Sequence, residues 1–374
     1  MTHTVTAYTE SILVPESDDG RTVDLRIGSP VDTVSPLVRQ ALADGFDAHA
    51  YTTAKGLPQF RAAVVEWYSR IQHVDWLDDD SVIPVAGTKN FIALAALWLG
   101  LRAGDVIVQP KLHYPTYGKG AELIGATIVA EDDPSLWPMD TRLIWLNSPR
   151  NPDGAINDVA YLERAVAAAR ERHAVIIQDE CYGAFDWSAP ERRTPAPSIL
   201  AVPSVVEGGR KGILACNSLS KQANMAGYRV GYLAGDRTLI DRFAALWAVH
   251  GQVTSVPIQL AAAAALSDGE TVRRQYDRLL DRRHKLLAAL HAWGLQTEER
   301  LEPNHPRGGY FIWGCVPGRD GDELLDELRR LRILGASGAT YGDVTGRYIR
   351  LSITATDRDV NLACRRLEDH PLSL

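Results

Sequence analysis

The chain has 374 residues, 45% of them hydrophobic and 23% charged, with a formal net charge of −7. That length exceeds what one small core needs, so a large unit with a smaller one is expected. The acidic balance gives no general attraction for nucleic acid or for an anionic membrane, and favours small-molecule partners. No apolar run approaches the roughly 20 residues that cross a bilayer, and the first residues lack a basic start followed by an apolar stretch. The four cysteines, Cys181, Cys216, Cys315 and Cys364, are far apart, with neither a CxxC pair nor metal-ligand spacing. Reduced, mostly buried thiols, no metal site and a cytoplasmic location are expected.

Along the chain, Phe60, Val64, Tyr68 and Ile71 recur near helical spacing. Short apolar runs then read as buried strands at 81–85, 105–109, 126–130, 142–147, 174–179, 212–216 and 229–234, with helical patterns over 91–99 and 161–172 between them. Such alternation predicts an α/β fold with a mostly parallel sheet covered by helices on both faces, and ligands at the carboxyl ends of its strands. After residue 251 the pattern changes to helices over 257–266 and 270–293, strands at 309–313 and 348–353, and helices over 320–331 and 357–368. This reads as a smaller α+β unit. The expected division is a large unit over 41–279 and a small one made by both termini, 1–40 and 280–374, with an exposed loop at 299–308.

Three places carry chemistry. Lys221 follows Ser218, Leu219 and Ser220 just past a strand, where a partly deprotonated amine can condense with an aldehyde cofactor. Alone, the tetrapeptide is better read as a surface lysine after a strand. Asp179 ends the run AVIIQD, with Tyr182 three residues on. Its carboxylate suits a protonated pyridine nitrogen, and it also suits a helix cap. Gly87, Thr88 and Lys89 open an apolar helix, where free N–H groups cradle phosphate; an ordinary glycine turn also fits.

In combination these segments resemble a known family. In order come Tyr51–Gly56, Gly87-Thr88-Lys89, Tyr114–Tyr117, Asn147–Gly154, Asp179–Tyr182, Ser218–Lys221, Ala226–Gly231 and Arg350–Ser352. Over roughly residues 28–356 the chain resembles the class I/II aminotransferases of pyridoxal 5′-phosphate (PLP) fold type I. The resemblance implies that Lys221 holds the cofactor and moves the substrate proton. Asp179 would meet the ring nitrogen, Asn151 and Tyr182 the ring oxygen, and Tyr114 the ring face. Gly87, Thr88, Lys89, Ser218, Ser220 and Arg229 would meet the phosphate. Arg350 would bind the substrate carboxylate, with Gly28 and Asn151 beside it. Tyr51 would reach the phosphate of a second subunit, which implies a homodimer with shared active sites.

Within the family the pattern is similar to the actinobacterial N-succinyldiaminopimelate aminotransferases. That implies glutamate as donor, a long dicarboxylate substrate and a second cation, Lys89 first, then Arg26 and Lys55. Asp153, Asn90 and the run 222–225 depart from the pattern. Asp153 suits a turn; the lesser alternative puts a negative charge near the pocket. These departures keep open a PLP enzyme of secondary metabolism acting on a specialised amino acid as a lyase, cyclase or oxidase. A PLP-binding sensor lacks the DNA-binding segment it needs, and no GxGxxG supports a dinucleotide enzyme. The run 281–285 reads as a solvated helix face, Cys181 as a packed side chain, and Trp187 as a core anchor that alternatively lines the pocket.

Overall fold

The computed structural model describes residues 20–297 and 305–372; expectations for 1–19 and for most of the loop at 299–308 lie outside the described residues. A two-residue strand, β1 (Val23–Asp24), comes first. All seven apolar runs then form one sheet: β2 (Val82–Val85), β3 (Val106–Gln109), β4 (Thr127–Ala130), β5 (Thr141–Asn147), β6 (Val175–Asp179), β7 (Ile213–Ser218) and β8 (Gly231–Gly235). Their order is β2-β8-β7-β6-β5-β3-β4, with only β8 antiparallel to its neighbours. The mostly parallel α/β architecture is the one expected.

The strands read as unbroken apolar runs because both faces are buried. Ile144, Ile176, Ile213 and Ala215 join a core with Phe60, Val64 and Tyr68 from the helix Pro58–Gln72. Their chain neighbours Leu143, Trp145, Ile177 and Leu214 face the opposite way, onto Phe91 of the helix Thr88–Trp98 and Trp247 of Arg237–His250. Local signals set the ends of the helices. Asp158 caps Val159–Glu171 by accepting from the Tyr161 N–H. Pro58 opens its helix at the first turn, and Gly294, in the left-handed region, ends the helix Gly269–Trp293.

A second, antiparallel sheet has the order β12-β13-β10-β9: β9 (Gln296–Thr297), β10 (Phe311–Cys315), β12 (Ala336–Ser337) and β13 (Ile349–Ser352). It packs on the helices Gly269–Trp293 and Asp357–Asp369 around its own core. β1 pairs in parallel with β11 (Ile333–Leu334), so the first described residues are held by a segment from the last part of the chain.

The run 281–285 departs from its expected solvated face. Asp281 and Lys285 are exposed and paired at 2.7 Å, but Arg282 and Arg283 are buried. Arg282 bonds Asp32 at 2.8 Å and Asp357 at 2.6 Å. A 25-residue helix wedged between segments from both ends of the chain has too little free surface to keep all its charges in water. Trp187 packs on Tyr276 and Phe185 and serves as a core anchor.

Glu180 is buried beneath the sheet, accepting from the Tyr68 hydroxyl at 2.9 Å and the Ser198 hydroxyl at 2.6 Å. Burial, only partly offset by these bonds, pushes its carboxyl up to about 7. The folded state therefore holds a proton that the unfolded chain releases near 4.5, so stability falls as pH rises through that window and the deficit is complete above about 7. Glu180→Gln should stabilise the protein at pH 8 by on the order of 2 kcal/mol, with the gain shrinking toward pH 5. Denaturant unfolding at several pH values checks this; a gain that does not vary with pH would show that Glu180 is not the titrating group.

Candidate functional site

Parallel register brings the polar ends of three strands together. Asn147 pairs with Asp179 and Asp179 with Cys216, so these three come level at one edge of the sheet, with Ser218 two residues further along β7. A cavity of about 590 Å³ opens there. Of the residues given a catalytic, cofactor or substrate-binding role from sequence, all line it except Gly87, Tyr51 and Lys55. Gly87 lies just beneath, with φ of 83° and the Arg229 guanidinium occupying the space a Cβ would need. Tyr51 does not reach the cavity. It is fully exposed and borders a separate hollow over 48–58. A residue expected to serve a second subunit cannot fill its place within one chain.

One end of the cavity is built for an anion. The helix Thr88–Trp98 points its N-terminus there, and its first N–H groups have no turn above them to bond. Arg229 has φ of 54° and is fixed by donating to the Ala226 carbonyl at 2.7 Å. Ser218 accepts from the Ser220 N–H at 3.1 Å, which leaves its hydroxyl proton to donate. Lys89 has no carboxylate partner among the described residues.

In the middle lies Asp179, 3% exposed. Tyr117 donates to it at 2.8 Å and the Cys181 N–H at 3.1 Å. Burial still raises its carboxyl above the usual range, because neither donor is a full cation. Lys221 is shifted the other way. Burial, aided by Arg350 and Arg229 and opposed by Cys181 and Asp179, pulls its amine down to about 8. The amine donates to the Gly28 carbonyl. The Lys221 carbonyl in turn accepts from the Tyr310 hydroxyl at 2.8 Å. Tyr182 presents its ring 5.7 Å from the Lys221 Nζ, and Tyr114 stands edge-on to Tyr117 at 5.9 Å.

The far wall is Arg350. Its guanidinium lies between the rings of Phe311, at 3.7 Å, and Tyr341, at 4.1 Å. It donates to the Asn151 side chain at 2.7 Å and to the Arg26 carbonyl at 2.6 Å, while its buried Nε has no hydrogen-bond partner among the described residues. No carboxylate pairs with it among the described residues. Asn147 holds this arrangement from below, accepting from the Asn151 N–H at 2.8 Å and donating to the Asp179 carbonyl at 3.0 Å.

These features fit PLP. The anion cradle suits a phosphate, the under-compensated Asp179 suits a protonated ring nitrogen, and the depressed amine of Lys221 suits an aldehyde. Sequence reasoning gave no role to Asn147, Tyr117, Tyr310, Phe311 or Tyr341. The first two lay inside quoted motifs, but the last three are brought in by long-range packing that no local pattern marks. Lys55 is removed from consideration as a substrate cation: it pairs with Asp241 at 2.8 Å and Asp80 at 3.0 Å, outside the cavity. Asp153 puts no charge in the pocket; it is buried and bonded by Arg150 and Arg307. Arg307 is itself buried, so this end of the loop expected to be exposed is not.

Among known proteins, the chain is 38% identical over 346 residues to the 4-dedimethylamino-4-oxo-anhydrotetracycline transaminase of Streptomyces rimosus, covering 92% of each. It is 36% identical over 348 residues to a probable aminotransferase of Mycobacterium tuberculosis, covering 92% of this chain and 80% of that one. Its fold is similar to that of an aminotransferase from Staphylococcus aureus, with a TM-score of 0.82, 25% identity and coverage of 96% of this chain and 98% of the other. Residues 21–367 match the family aminotransferase class I and II, and the chain belongs to it.

Proposed function

We propose that this PLP-dependent aminotransferase takes its amino group from glutamate and delivers it to an acceptor bearing a carboxylate remote from the reacting carbon. The first acceptor to test is N-succinyl-2-amino-6-oxopimelate, whose amination serves lysine biosynthesis. The observation that carries the reading is a charge imbalance. Arg26, Lys89, Lys221, Arg229 and Arg350 line the cavity against a single carboxylate, Asp179. Arg229 and the helix N-terminus would hold the cofactor's phosphate, and Lys221 would bond its aldehyde. Arg350 is left for one substrate carboxylate, with Lys89 and Arg26 at the wall for a second. Arg26 already pairs with Asp24 at 2.7 Å, which favours Lys89.

PLP, when bound, supplies the electron sink that lets the substrate α-carbon lose its proton. The chain supplies the rest. Asp179, held by Tyr117, would keep a proton on the ring nitrogen. Tyr182 and Asn151 would donate to the ring oxygen. Lys221 would serve as the base for the substrate α-carbon, and its depressed pKa leaves the amine able to accept a proton near neutrality. Two chains would supply a complete site if Tyr51 of one reaches the phosphate of the other, a reading supported by its full exposure and the 86% exposure of nearby Phe46. The same reading divides the chain into 41–279 and 1–40 with 280–374, supported by the pairing of β1 with β11 and by the separate core around the second sheet.

A second reading is favoured by the Streptomyces relative, which is named for a tetracycline-type substrate. The aromatic walls Tyr114, Phe311 and Tyr341 suit a ring-bearing acceptor of specialised metabolism.

Glutamate added to the yellow holoenzyme should bleach its visible band and release 2-oxoglutarate; succinylated oxopimelate should then restore the colour. No change with glutamate would sink the donor assignment, and restoration only by cyclic ketones would favour the second reading. Lys221→Ala should abolish turnover while leaving the fold intact by circular dichroism; retained transamination would remove Lys221 from its role. Arg350→Lys should raise the KM for glutamate about tenfold or more through loss of a two-pronged contact, and unchanged kinetics would mean that Arg350 is structural. Capture of PLP by the apoenzyme needs the unprotonated Lys221 amine, so its rate should climb as pH rises and level off above about 8. Stopped-flow absorbance measures this, and a flat profile from pH 6.5 to 8.5 would contradict the depressed amine.

A further inference from the structure

Asp153 stands outside the cavity, and its surroundings show what it does. Arg150 grips it with two bonds, Nε at 2.8 Å and Nη2 at 2.7 Å. Arg307, more than a hundred and fifty residues away in sequence, reaches the same carboxylate at 3.3 Å and the Asp153 carbonyl at 3.4 Å. Burial pushes the Asp153 carboxyl up, but Arg150 and Arg307 outweigh this and hold it below the usual range. It is thus an anion fixed between two guanidiniums.

The chain around Arg307 runs as a strap between two other segments. On one side the Gly308 N–H donates to the Gly154 carbonyl at 2.7 Å and the Ile156 N–H to the Pro306 carbonyl at 3.2 Å. On the other, the Trp187 N–H donates to the Arg307 carbonyl and the Gly309 N–H to the Phe185 carbonyl, both at 2.8 Å. At Gly154, φ is 76° and a Cβ would lie 2.6 Å from the Gly308 carbonyl oxygen, so only glycine permits this approach. The strap leads directly into Tyr310, which bonds the Lys221 carbonyl, and Phe311, which covers the Arg350 guanidinium. The turn at Asp153 leads back to Asn151, which bonds the same guanidinium. From Arg150 the network continues to Asp132 at 3.3 Å, and Asp132 accepts from the Lys111 N–H at 3.0 Å, at the start of the loop that carries Tyr114.

From this geometry we infer that Asp153 is a positioning residue for substrate. Its carboxylate locks the strap of Arg307 to the turn of Asn151, and so fixes the two side chains, Phe311 and Asn151, that aim Arg350 at a carboxylate. The inference rests on Arg350 being the carboxylate site. A guanidinium held between rings and a single side-chain acceptor binds well only while those partners keep their places, and small displacements of such groups cost affinity steeply.

The test uses the holoenzyme and glutarate, a dicarboxylate that cannot react. In Asp153→Asn, glutarate affinity by calorimetry and the KM for glutamate should each weaken about tenfold, while kcat and the visible spectrum stay near those of the parent. The amides of Gly308 and Gly309 should exchange faster with deuterium. Asp153→Asn removes the anion between Arg150 and Arg307, so Asp153→Asn/Arg307→Gln is made alongside. It should regain thermal stability without regaining glutarate affinity. A folded variant with unchanged glutarate affinity overturns the inference, as does a fall in kcat and stability with affinity intact. A parent that binds no glutarate refutes the role of Arg350, and exchange at Gly308 and Gly309 then decides the clasp by itself: unaltered rates in the variant would reject it.

Discussion

Burying Asp179 at the end of β6 is the constraint from which the site follows. A carboxylate out of water needs either a counter-cation or enough donors to replace its solvent. The chain gives it a phenol and one backbone amide, and keeps the nearest cation, Lys221, too desolvated to act as a full partner. Both groups are therefore shifted toward their neutral forms, the acid upward and the amine downward. A pair left in this state is poised for a third body that carries a ring nitrogen and an aldehyde. The cavity stores the mismatch at the place where PLP relieves it, which is why perturbed groups concentrate at a reaction centre.

Charge distribution extends the same logic outward. The chain as a whole is acidic, at −7, yet the cavity walls are strongly cationic. Walls of low polarity, including Phe311, Tyr341 and Ile92, focus that field on whatever enters. Anions are drawn in while the surface repels them elsewhere. Arg350 shows how the field is made directional. Two flat rings fix the plane of its guanidinium, and Asn151 and the Arg26 carbonyl fix its rotation within that plane. The donors that remain are aimed by geometry rather than by a competing carboxylate.

Much of this was legible in the sequence because the relevant signals are local. A short unbroken run such as RLIWLN reads as a strand buried on both faces, and the polar residues closing β5, β6 and β7 mark the sheet edge where ligands sit. Asp179, Lys221 and Arg350 were found in that way or through motif order. What escaped depends on pairings between distant segments. Arg282 looks like a surface charge until Asp32 and Asp357 are brought to it from opposite ends of the chain. Arg307 sits in a stretch rich in proline and charge that reads as an exposed loop, and only the gap between residues 154–156 and 185–187 makes it a strap. Tyr341 has no periodic neighbours to betray it, and its place beside Arg350 is set by the His113 N–H bonding its carbonyl at 2.9 Å.

The site is thus assembled from pieces that no single element could hold. Gly28 comes from the start of the described chain, Lys221 from its middle and Arg350 from near its end, and each contacts at least one of the others or a shared partner. Lys221 donates to Gly28, whose missing side chain leaves the space that the Phe311 ring fills, and Phe311 in turn covers Arg350. A side chain at residue 28 would push against that ring and so act on Arg350 without touching it. In such an assembly, affinity for substrate and mutual order of the segments are the same quantity seen from two sides. Asn147 and Tyr310, which tie segments together beside the cavity, then contribute to chemistry through position.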